Sequence, residues 1–178
     1  ERLNILKPQD WTFPVPIAYG PGRLKEIGDC CASLEISNPL LVTDRNSKDL
    51  FFIEETSKHL SNSGISSDLF YEISPNPRDD EIEKGCLIFN TGKHDAVIAI
   101  GGGSAMDGGK AVCLTANNDI PLWDFEWEQP SPKIDKDTPF PKLICIPTTA
   151  GTGAETESTA MVTHLEKGMK FCICHPRL

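Results

Sequence analysis

Residues 96–107, with the sequence AVIAIGGGSAMD, give the strongest indication of the fold of this chain. Its first five residues are apolar on both faces, a pattern typical of a strand buried inside a parallel sheet. Three glycines follow without a break, and helical periodicity then runs from about Ser104 to Ala116. A buried strand that turns directly into a helix is the first half of a βαβ crossover, so this stretch indicates an α/β protein.

Strands and helices alternate in the same way along the rest of the chain. The other predicted strands lie at residues 15–19, 39–43, 68–71 and 143–146, and the other predicted helices at about 24–34, 47–62 and 79–90. This alternation predicts an α/β fold with a Rossmann-like parallel sheet and helices on both faces. Two strands around Glu166-Lys167-Gly168 add a predicted C-terminal β-hairpin.

The composition excludes several classes of function. The chain has 178 residues, the usual size of one domain, and its formal net charge of −9 opposes binding to the phosphate backbone of nucleic acids. No apolar run approaches the roughly 20 residues of a membrane span, so no membrane insertion is expected. The N-terminus lacks the pattern of a secretory signal, and we therefore expect a cytoplasmic protein with reduced thiols.

A metal site within residues 1–178 is not expected. The cluster Cys172-Ile173-Cys174-His175 is a weak zinc signature, because it has no second, distant pair of ligands. The other histidines, His59, His94 and His164, are scattered along the chain and form no i, i+4 pair. We interpret all four histidines as surface or turn residues.

The glycine turn after the central strand is a candidate anion site. Gly101, Gly102 and Gly103 carry no Cβ, so a ligand can approach the backbone closely. The helix that follows directs its free N–H groups and the positive end of its dipole at such a ligand, which suits a pyrophosphate. Ser104 and Asp107 also have the spacing of a capping box, with Asp in place of Glu, and this structural role is compatible with ligand binding.

Asp44 ends an apolar strand, where its carboxylate is placed to accept hydrogen bonds from both ribose hydroxyls of an adenosine. The same charge would repel a 2′-phosphate, so NAD is favoured over NADP. In the common dinucleotide fingerprint the acidic residue follows the glycines by about 20 positions, whereas here it precedes them. The alternative is that Asp44 is a solvated turn residue or a helix cap before residues 46–49.

A third segment, PTTAGTGAE at residues 147–155, also follows a strand. Its hydroxyl groups and glycines can bind phosphate or carboxamide oxygens without blocking access, although a simple Ser/Thr turn would have the same composition. Open α/β sheets bind ligands at the carboxyl ends of their strands. Because all three segments follow strands of one predicted sheet, they indicate a nucleotide-binding cleft along one edge.

Together these segments resemble the iron-containing (group III) alcohol dehydrogenase family. Members of that family carry Gly-Gly-Gly-Ser-x-x-Asp and then Pro-Thr-Thr-Ala-Gly-Thr, as this chain does at residues 101–107 and 147–152. The resemblance covers nearly the whole chain, since it extends to Tyr19-Gly20-Pro21-Gly22, Val42-Thr43-Asp44, Pro75-Asn76-Pro77 and Lys170-Phe171.

The resemblance implies a set of contacts with an NAD cofactor. The residues that match the family's dinucleotide-binding positions are Asp44, Asn76, Gly102, Gly103, Ser104, Thr148, Thr149, Thr152, Val162 and Lys170. Asp107 lies one helical turn beyond the glycines and is a conditional candidate for a polar contact near the nicotinamide or the substrate, and so for a catalytic role.

The resemblance also implies a longer, two-domain enzyme. In the family a helical second domain supplies one Asp and three His to a catalytic Fe²⁺ or Zn²⁺, and this chain stops before all four. We therefore interpret residues 1–178 as the N-terminal dinucleotide-binding domain, with the helical metal-binding domain absent. The complete enzyme would interconvert an alcohol with an aldehyde or ketone by hydride transfer, and this part alone is expected to be inactive.

Three alternatives stay open. A glycerol-dehydrogenase-like relative would use Zn²⁺, and a 3-dehydroquinate-synthase-like relative would use NAD in a lyase-type sequence, although residues 147–153 fit that enzyme poorly. A non-catalytic nucleotide-binding module is the alternative from a different class. An uncovered cleft would leave apolar surface exposed and favour self-association, so a homo-oligomer is a further open expectation.

Overall fold

The computed structural model describes residues 7–12 and 15–178 of the chain. The strands are β1 (Gln9–Thr12), β2 (Pro16–Tyr19), β3 (Pro39–Asp44), β4 (Asp68–Ile73), β5 (Ala96–Gly101), β6 (Lys142–Pro147), β7 (Thr159–His164) and β8 (Met169–Cys174). The α-helices are α1 (Ile27–Ser33), α2 (Phe51–Asn62), α3 (Asp79–Thr91) and α4 (Gly103–Thr115), and short 3₁₀ helices occupy Arg23–Glu26 and Leu122–Phe125.

Four parallel strands form the central sheet, in the order β4-β3-β5-β6. On one face, Ile27 of α1 and Leu60 of α2 pack with Leu41 and Ile98. On the other, α3 and α4 pack against alternate residues of the same strands, among them Val42. The predicted α/β fold with helices on both faces is confirmed.

Helix α4 lies unusually close to the sheet because glycine faces the strands. A Cβ on Gly109 would come within 2.5 Å of the Cβ of Ala99 in β5, and a Cβ on Gly108 would come within 2.7 Å of Ile73. Met106 and Val112 on the same helix are fully buried. This close packing fixes the start of α4, and with it the glycine turn, relative to the sheet.

Two antiparallel hairpins accompany the sheet. Strands β7 and β8 pair over their whole length, which confirms the predicted C-terminal hairpin, and the buried Val162 and Ile173 belong to the same apolar cluster as α3 and α4. Strand β1 pairs with β2. The sequence pattern predicts β2 but not β1, whose four residues show no strand pattern.

The structure corrects several boundaries. Helix α2 begins at Phe51 rather than at residue 47, because the segment after Asp44 forms turns. Strand β4 continues to Ile73. The segment between α4 and β6 contains the 3₁₀ helix at Leu122–Phe125, and Glu126 forms an isolated bridge with Ile173.

Strand β6 forms one edge of the central sheet, and four of its six residues are half-buried. Across residues 7–12 and 15–178, none of the helices has the length and apolar character needed to cross a bilayer.

Candidate nucleotide-binding cleft

The glycine turn joins the carboxyl end of β5 to the start of α4. Gly101 has a φ of 143°, a conformation that strongly favours glycine, and a Cβ there would lie 2.7 Å from the Cβ of Ala105. Gly102 is the N-cap of α4 and offers no side-chain cap. The first N–H groups of a helix lack a partner four residues earlier, so the start of α4 presents donors and a positive dipole end at this turn.

The predicted capping box at Ser104 and Asp107 is wrong. The hydroxyl of Ser104 donates to the carbonyl of Pro75 at 2.5 Å, and the Asp107 carboxylate accepts from the backbone N–H of Met161 at 3.2 Å. Both side chains therefore tie α4 to other segments, the first to the loop after β4 and the second to β7.

Asp44 is a turn residue that lies beside the glycine turn. Its carboxylate accepts hydrogen bonds from the backbone N–H of Asn46 at 3.0 Å and from the hydroxyl of Ser47 at 2.7 Å, as expected for a turn residue. The oxygen that accepts from Ser47, Oδ2, lies 3.3 Å from the position that a Cβ on Gly101 would occupy. A carboxylate has about four acceptor sites, so two remain for a ligand beside the glycine turn.

The threonine segment faces the glycines from the neighbouring strand. The N–H of Thr148 donates to the carbonyl of Gly101 at 2.9 Å and continues the pairing of β5 with β6. Thr149 Oγ1 lies 3.4 Å from the position that a Cβ on Gly102 would occupy. The side chain of Thr152 lies 3.2 Å from the corresponding position at Gly103. All three threonines are exposed. Glycine at 102 and 103 leaves a shallow space between α4 and these hydroxyl groups.

The remaining predicted cofactor-binding residues lie on other segments of the chain. Asn76 is exposed in the loop after β4, beside the Pro75 carbonyl that Ser104 contacts. Val162 is fully buried in the hairpin, so its side chain belongs to the core. Lys170 is exposed on β8 and pairs in register with Thr163.

Burial changes the acidity of two groups on α4. Burial raises the pKa of Asp107 above its ordinary value, although the N–H of Met161 and the nearby Lys110 and Lys170 oppose this shift. Burial also lowers the pKa of Lys110, whose side chain is 1% exposed. Lys110 Nζ donates to the carbonyl oxygens of Glu157 at 2.5 Å and Thr159 at 3.1 Å.

Three of the four histidines have rings that pack against aromatic side chains. His94 is buried, which corrects its interpretation as a surface or turn residue, and its Nδ1 lies 3.0 Å from the carbonyl oxygen of Asn38. His164 stacks on Trp123 with ring centroids 4.6 Å apart, and His175 stacks on Phe140 at 5.2 Å. Within the described ranges, no three His, Cys, Asp or Glu side chains are grouped so as to hold a metal ion.

Two cavities lie away from the glycine turn. One of about 520 Å³ lies at the amino-terminal edge of the sheet, where Asn90, His94 and Asn117 line it. Another of about 480 Å³ lies beside Trp123 and Phe171. The glycine turn instead lies on the open surface of the protein, since the threonines that face it are exposed. It can therefore support a ligand from one side.

Two residues that support the turn were not predicted from the sequence. Thr43 Oγ1 donates to the carbonyl of Ile100 at 2.7 Å, which joins β3 to β5 just before the turn. Lys110 was also missed. Its signal is a single cation inside the otherwise uncharged run GGKAVCLTA at residues 108–116.

Comparison with known proteins agrees with these motifs. The family model described as iron-containing alcohol dehydrogenase matches residues 14–178. A choline dehydrogenase of Bacillus subtilis (strain 168) is 33% identical over 162 residues, which are 90% of this chain and 40% of that protein. An NAD-dependent methanol dehydrogenase of Bacillus methanolicus is 30% identical over 166 residues, 93% of this chain and 42% of that protein.

A solved structure agrees with the fold over nearly the same extent. The crystal structure of a 1,3-propanediol oxidoreductase superposes with a TM-score of 0.79 at 30% identity, covering 89% of this chain and 40% of that one. The chain thus spans about two fifths of the length of the relatives it matches. The family match includes both the glycine turn and the threonine segment, so the chain belongs to the iron-containing alcohol dehydrogenase family.

Proposed function

We propose that this chain is the NAD-binding domain of a longer, metal-dependent alcohol dehydrogenase. The observation that carries the proposal is the uncapped start of α4, where Gly102 and Gly103 face the exposed hydroxyl groups of Thr149 and Thr152. Backbone donors at a helix start, together with neutral hydroxyl groups, suit a pyrophosphate. Two relatives named as alcohol-oxidising enzymes, one of them NAD-dependent, support the reaction class.

In this proposal each segment of the cleft contacts a different part of the cofactor. The glycines and Ser104 hold the pyrophosphate, and Thr148, Thr149 and Thr152 cover it. Asp44 accepts hydrogen bonds from the adenosine ribose. The remaining cofactor-binding candidates are Asn76, Asp107, Val162 and Lys170, of which Val162 can contribute only through its backbone because its side chain is buried.

The chemistry of the complete enzyme needs residues beyond these. When bound, NAD accepts a hydride from the carbon that bears the alcohol oxygen, and the metal of the complete enzyme polarises that oxygen. We place the metal ligands outside residues 1–178, since the chain spans 40% and 42% of two relatives. Dehydrogenase activity of this chain alone is therefore expected to be near zero, with small alcohols and aldehydes as the substrates of the whole enzyme.

Calorimetric titration of the purified chain with NAD and with NADP tests the proposal. Wild-type chain should bind NAD saturably and bind NADP more weakly, because the Asp44 carboxylate repels a 2′-phosphate. Asp44→Ala should weaken NAD binding by about tenfold, the usual worth of charge-assisted hydrogen bonds, and reduce the preference for NAD over NADP.

Asp49→Ala is the matched control, because its exposed carboxylate lies in the same loop and its loss changes the net charge equally. NAD affinity of this control should equal that of the wild type. A folded wild-type chain that binds neither nucleotide would contradict the proposal, and equal losses in the two variants would remove the role of Asp44.

A further inference from the structure

Lys110 is a buried cation that forms no close ion pair with a carboxylate among the described residues, although the charges of Asp107 and Glu157 act on it at longer range. Its side chain is 1% exposed, yet its Nζ donates to two backbone carbonyl groups, those of Glu157 and Thr159. Burial of a charge is costly, and neutral acceptors offset that cost less fully than a carboxylate would. A lysine that contributes little through charge pairing is therefore best explained by what its hydrogen bonds hold in place.

The two carbonyl groups lie at the far end of the threonine loop. The near end is fixed, since the N–H of Thr148 donates to the Gly101 carbonyl at 2.9 Å. Between the two ends, residues 149–156 include Gly151 and Gly153, both with positive φ and both with open space around the Cβ position. Such a segment has high conformational entropy when its ends are free.

Helix α4 carries both the glycine turn and the lysine. Asp107, one turn before Lys110, accepts from the N–H of Met161 at 3.2 Å, so two side chains of α4 hold residues 157–161. Because Gly102 and Gly103 begin the same helix, the distance between the glycine turn and the far end of the loop is fixed through α4.

We propose that Lys110 is a positioning residue for NAD binding, which holds the threonine loop so that Thr149 and Thr152 face the glycine turn. This inference rests on the proposed function, since it assigns those threonines to the pyrophosphate. Lys110 itself touches no part of the ligand. Because Lys110 holds the loop before the ligand binds, less conformational entropy is lost on binding, and the affinity is higher.

Lys110→Met tests this role, because methionine retains a long apolar stem and loses the donors. NAD affinity should fall about tenfold, the equivalent of losing about one well-formed hydrogen bond to a charged group. Adenosine, which reaches the Asp44 side of the turn without a pyrophosphate, should bind within about twofold of wild type. Amide hydrogen exchange should become faster in residues 150–159 while that of β5 stays unchanged.

Lys58→Met is the matched control, since Lys58 is exposed on α2 and the charge change is the same. Its NAD affinity and its exchange rates should equal those of the wild type. NAD affinity that stays within twofold of wild type in Lys110→Met, despite faster exchange in the loop, would overturn the proposal. So would parallel losses of NAD and adenosine binding, which would indicate a general structural role.

A second variant covers the case in which Lys110→Met fails to fold. Insertion of two glycines between Thr156 and Glu157 keeps the lysine and its hydrogen bonds. The insertion makes the loop longer and more flexible, so the lysine no longer fixes the threonines. This insertion should produce the same tenfold loss of NAD affinity, and unchanged affinity would overturn the proposal. Wild-type chain that binds no NAD would refute the proposed function as well, whereas binding by wild type with no loss in the variants would refute the role of Lys110 alone.

Discussion

The loops at the two ends of the parallel strands differ in how their backbone groups are satisfied. We call these ends the amino-terminal edge and the carboxyl-terminal edge of the central sheet. At the amino-terminal edge, the Asp95 carboxylate accepts three hydrogen bonds, from the N–H and the hydroxyl of Ser37 at 2.7 Å each and from the N–H of Asn38 at 3.0 Å. The side-chain amide of Asn38 donates in turn to the carbonyl groups of Gly92 and Lys93. Each of these side chains satisfies backbone groups of the neighbouring loop.

At the carboxyl-terminal edge, the turn after β5 and the threonine segment after β6 are left open. Glycines occupy the turn after β5, and the threonines opposite them are exposed. Gly102 caps α4 without a side-chain hydrogen bond. Backbone donors therefore remain available where small residues replace polar caps. One edge therefore contributes stability, and the other is suited to binding.

The largest effect is expected from filling the open edge. Gly102 has ordinary extended dihedral angles, so Gly102→Val introduces no backbone strain but places two methyl groups in the space beside Thr149. NAD affinity should fall about 100-fold, or roughly 2.7 kcal/mol, while the midpoint of urea unfolding stays close to wild type. Calorimetry and urea titration measure the two quantities.

Gly102→Ala provides the graded control. Its Cβ would lie 3.4 Å from Thr149 Oγ1, an ordinary contact, so the loss of NAD affinity should be smaller than with valine. Equal affinity in wild type and Gly102→Val would show that the ligand does not approach this turn.

The opposite pattern is expected at the closed edge. Asp95→Ala removes the acceptor of three hydrogen bonds and should lower the free energy of unfolding by about 2 kcal/mol, with NAD affinity of the folded chain unchanged. Burial raises the pKa of Asp95, but the hydrogen bonds from Ser37 and Asn38 outweigh this and hold it below its ordinary value. The stability that the carboxylate contributes is thus present above the unfolded pKa and is lost as the pH falls through the lower folded pKa.

Asp95→Asn separates charge from shape at this edge. It keeps one acceptor oxygen, so its stability should lie between those of wild type and Asp95→Ala and should not show the acid-dependent loss due to residue 95. Urea titrations at several pH values measure this slope. A loss of NAD affinity in either variant would show that the two edges are coupled rather than independent.

The sequence predicted the region around β5 and α4 because several local signals agree there. The apolar run at residues 96–100, the three glycines and the helical periodicity all indicate one arrangement, and the structure has it. The meeting of residues 44, 101–103 and 147–152 at one edge also followed from topology, because parallel strands end on the same side. Strand β1 was missed because four residues are too few to show a period.

The errors arose where tertiary partners replaced local ones. Ser104 and Asp107 have capping-box spacing, but each finds a partner in another segment, and spacing along the chain cannot show such partners. His94 is buried beside Asn38, a contact between residues 56 positions apart. Lys110 was overlooked for the same reason, since only the folded chain brings the carbonyl groups of residues 157 and 159 to its ammonium group.

The smallest effect is expected at Asp107, which belongs to the open edge but is partly buried. Burial raises the pKa of its carboxyl group, so the folded chain tolerates the charge less well than the unfolded chain does. Stability is consequently lost as the pH rises from the unfolded pKa through the raised folded pKa, and the loss is complete above the latter. Asp107→Asn removes this loss, and its amide oxygen can still accept from the N–H of Met161.

The asparagine variant should therefore be more stable than wild type at pH 7, by up to about 1 kcal/mol, and the gain should shrink as the pH falls until both chains carry a neutral group. Urea titrations between pH 7 and acid measure the gain, with Asp49→Asn as a control because that carboxylate is exposed and should show no such trend. A variant less stable than wild type at pH 7 would mean that attraction between Asp107 and the lysines at 110 and 170 outweighs burial. In that case charge attraction would stabilise the carboxyl-terminal edge, as hydrogen bonds to Asp95 stabilise the amino-terminal edge. Both edges would then contribute stability, through different interactions.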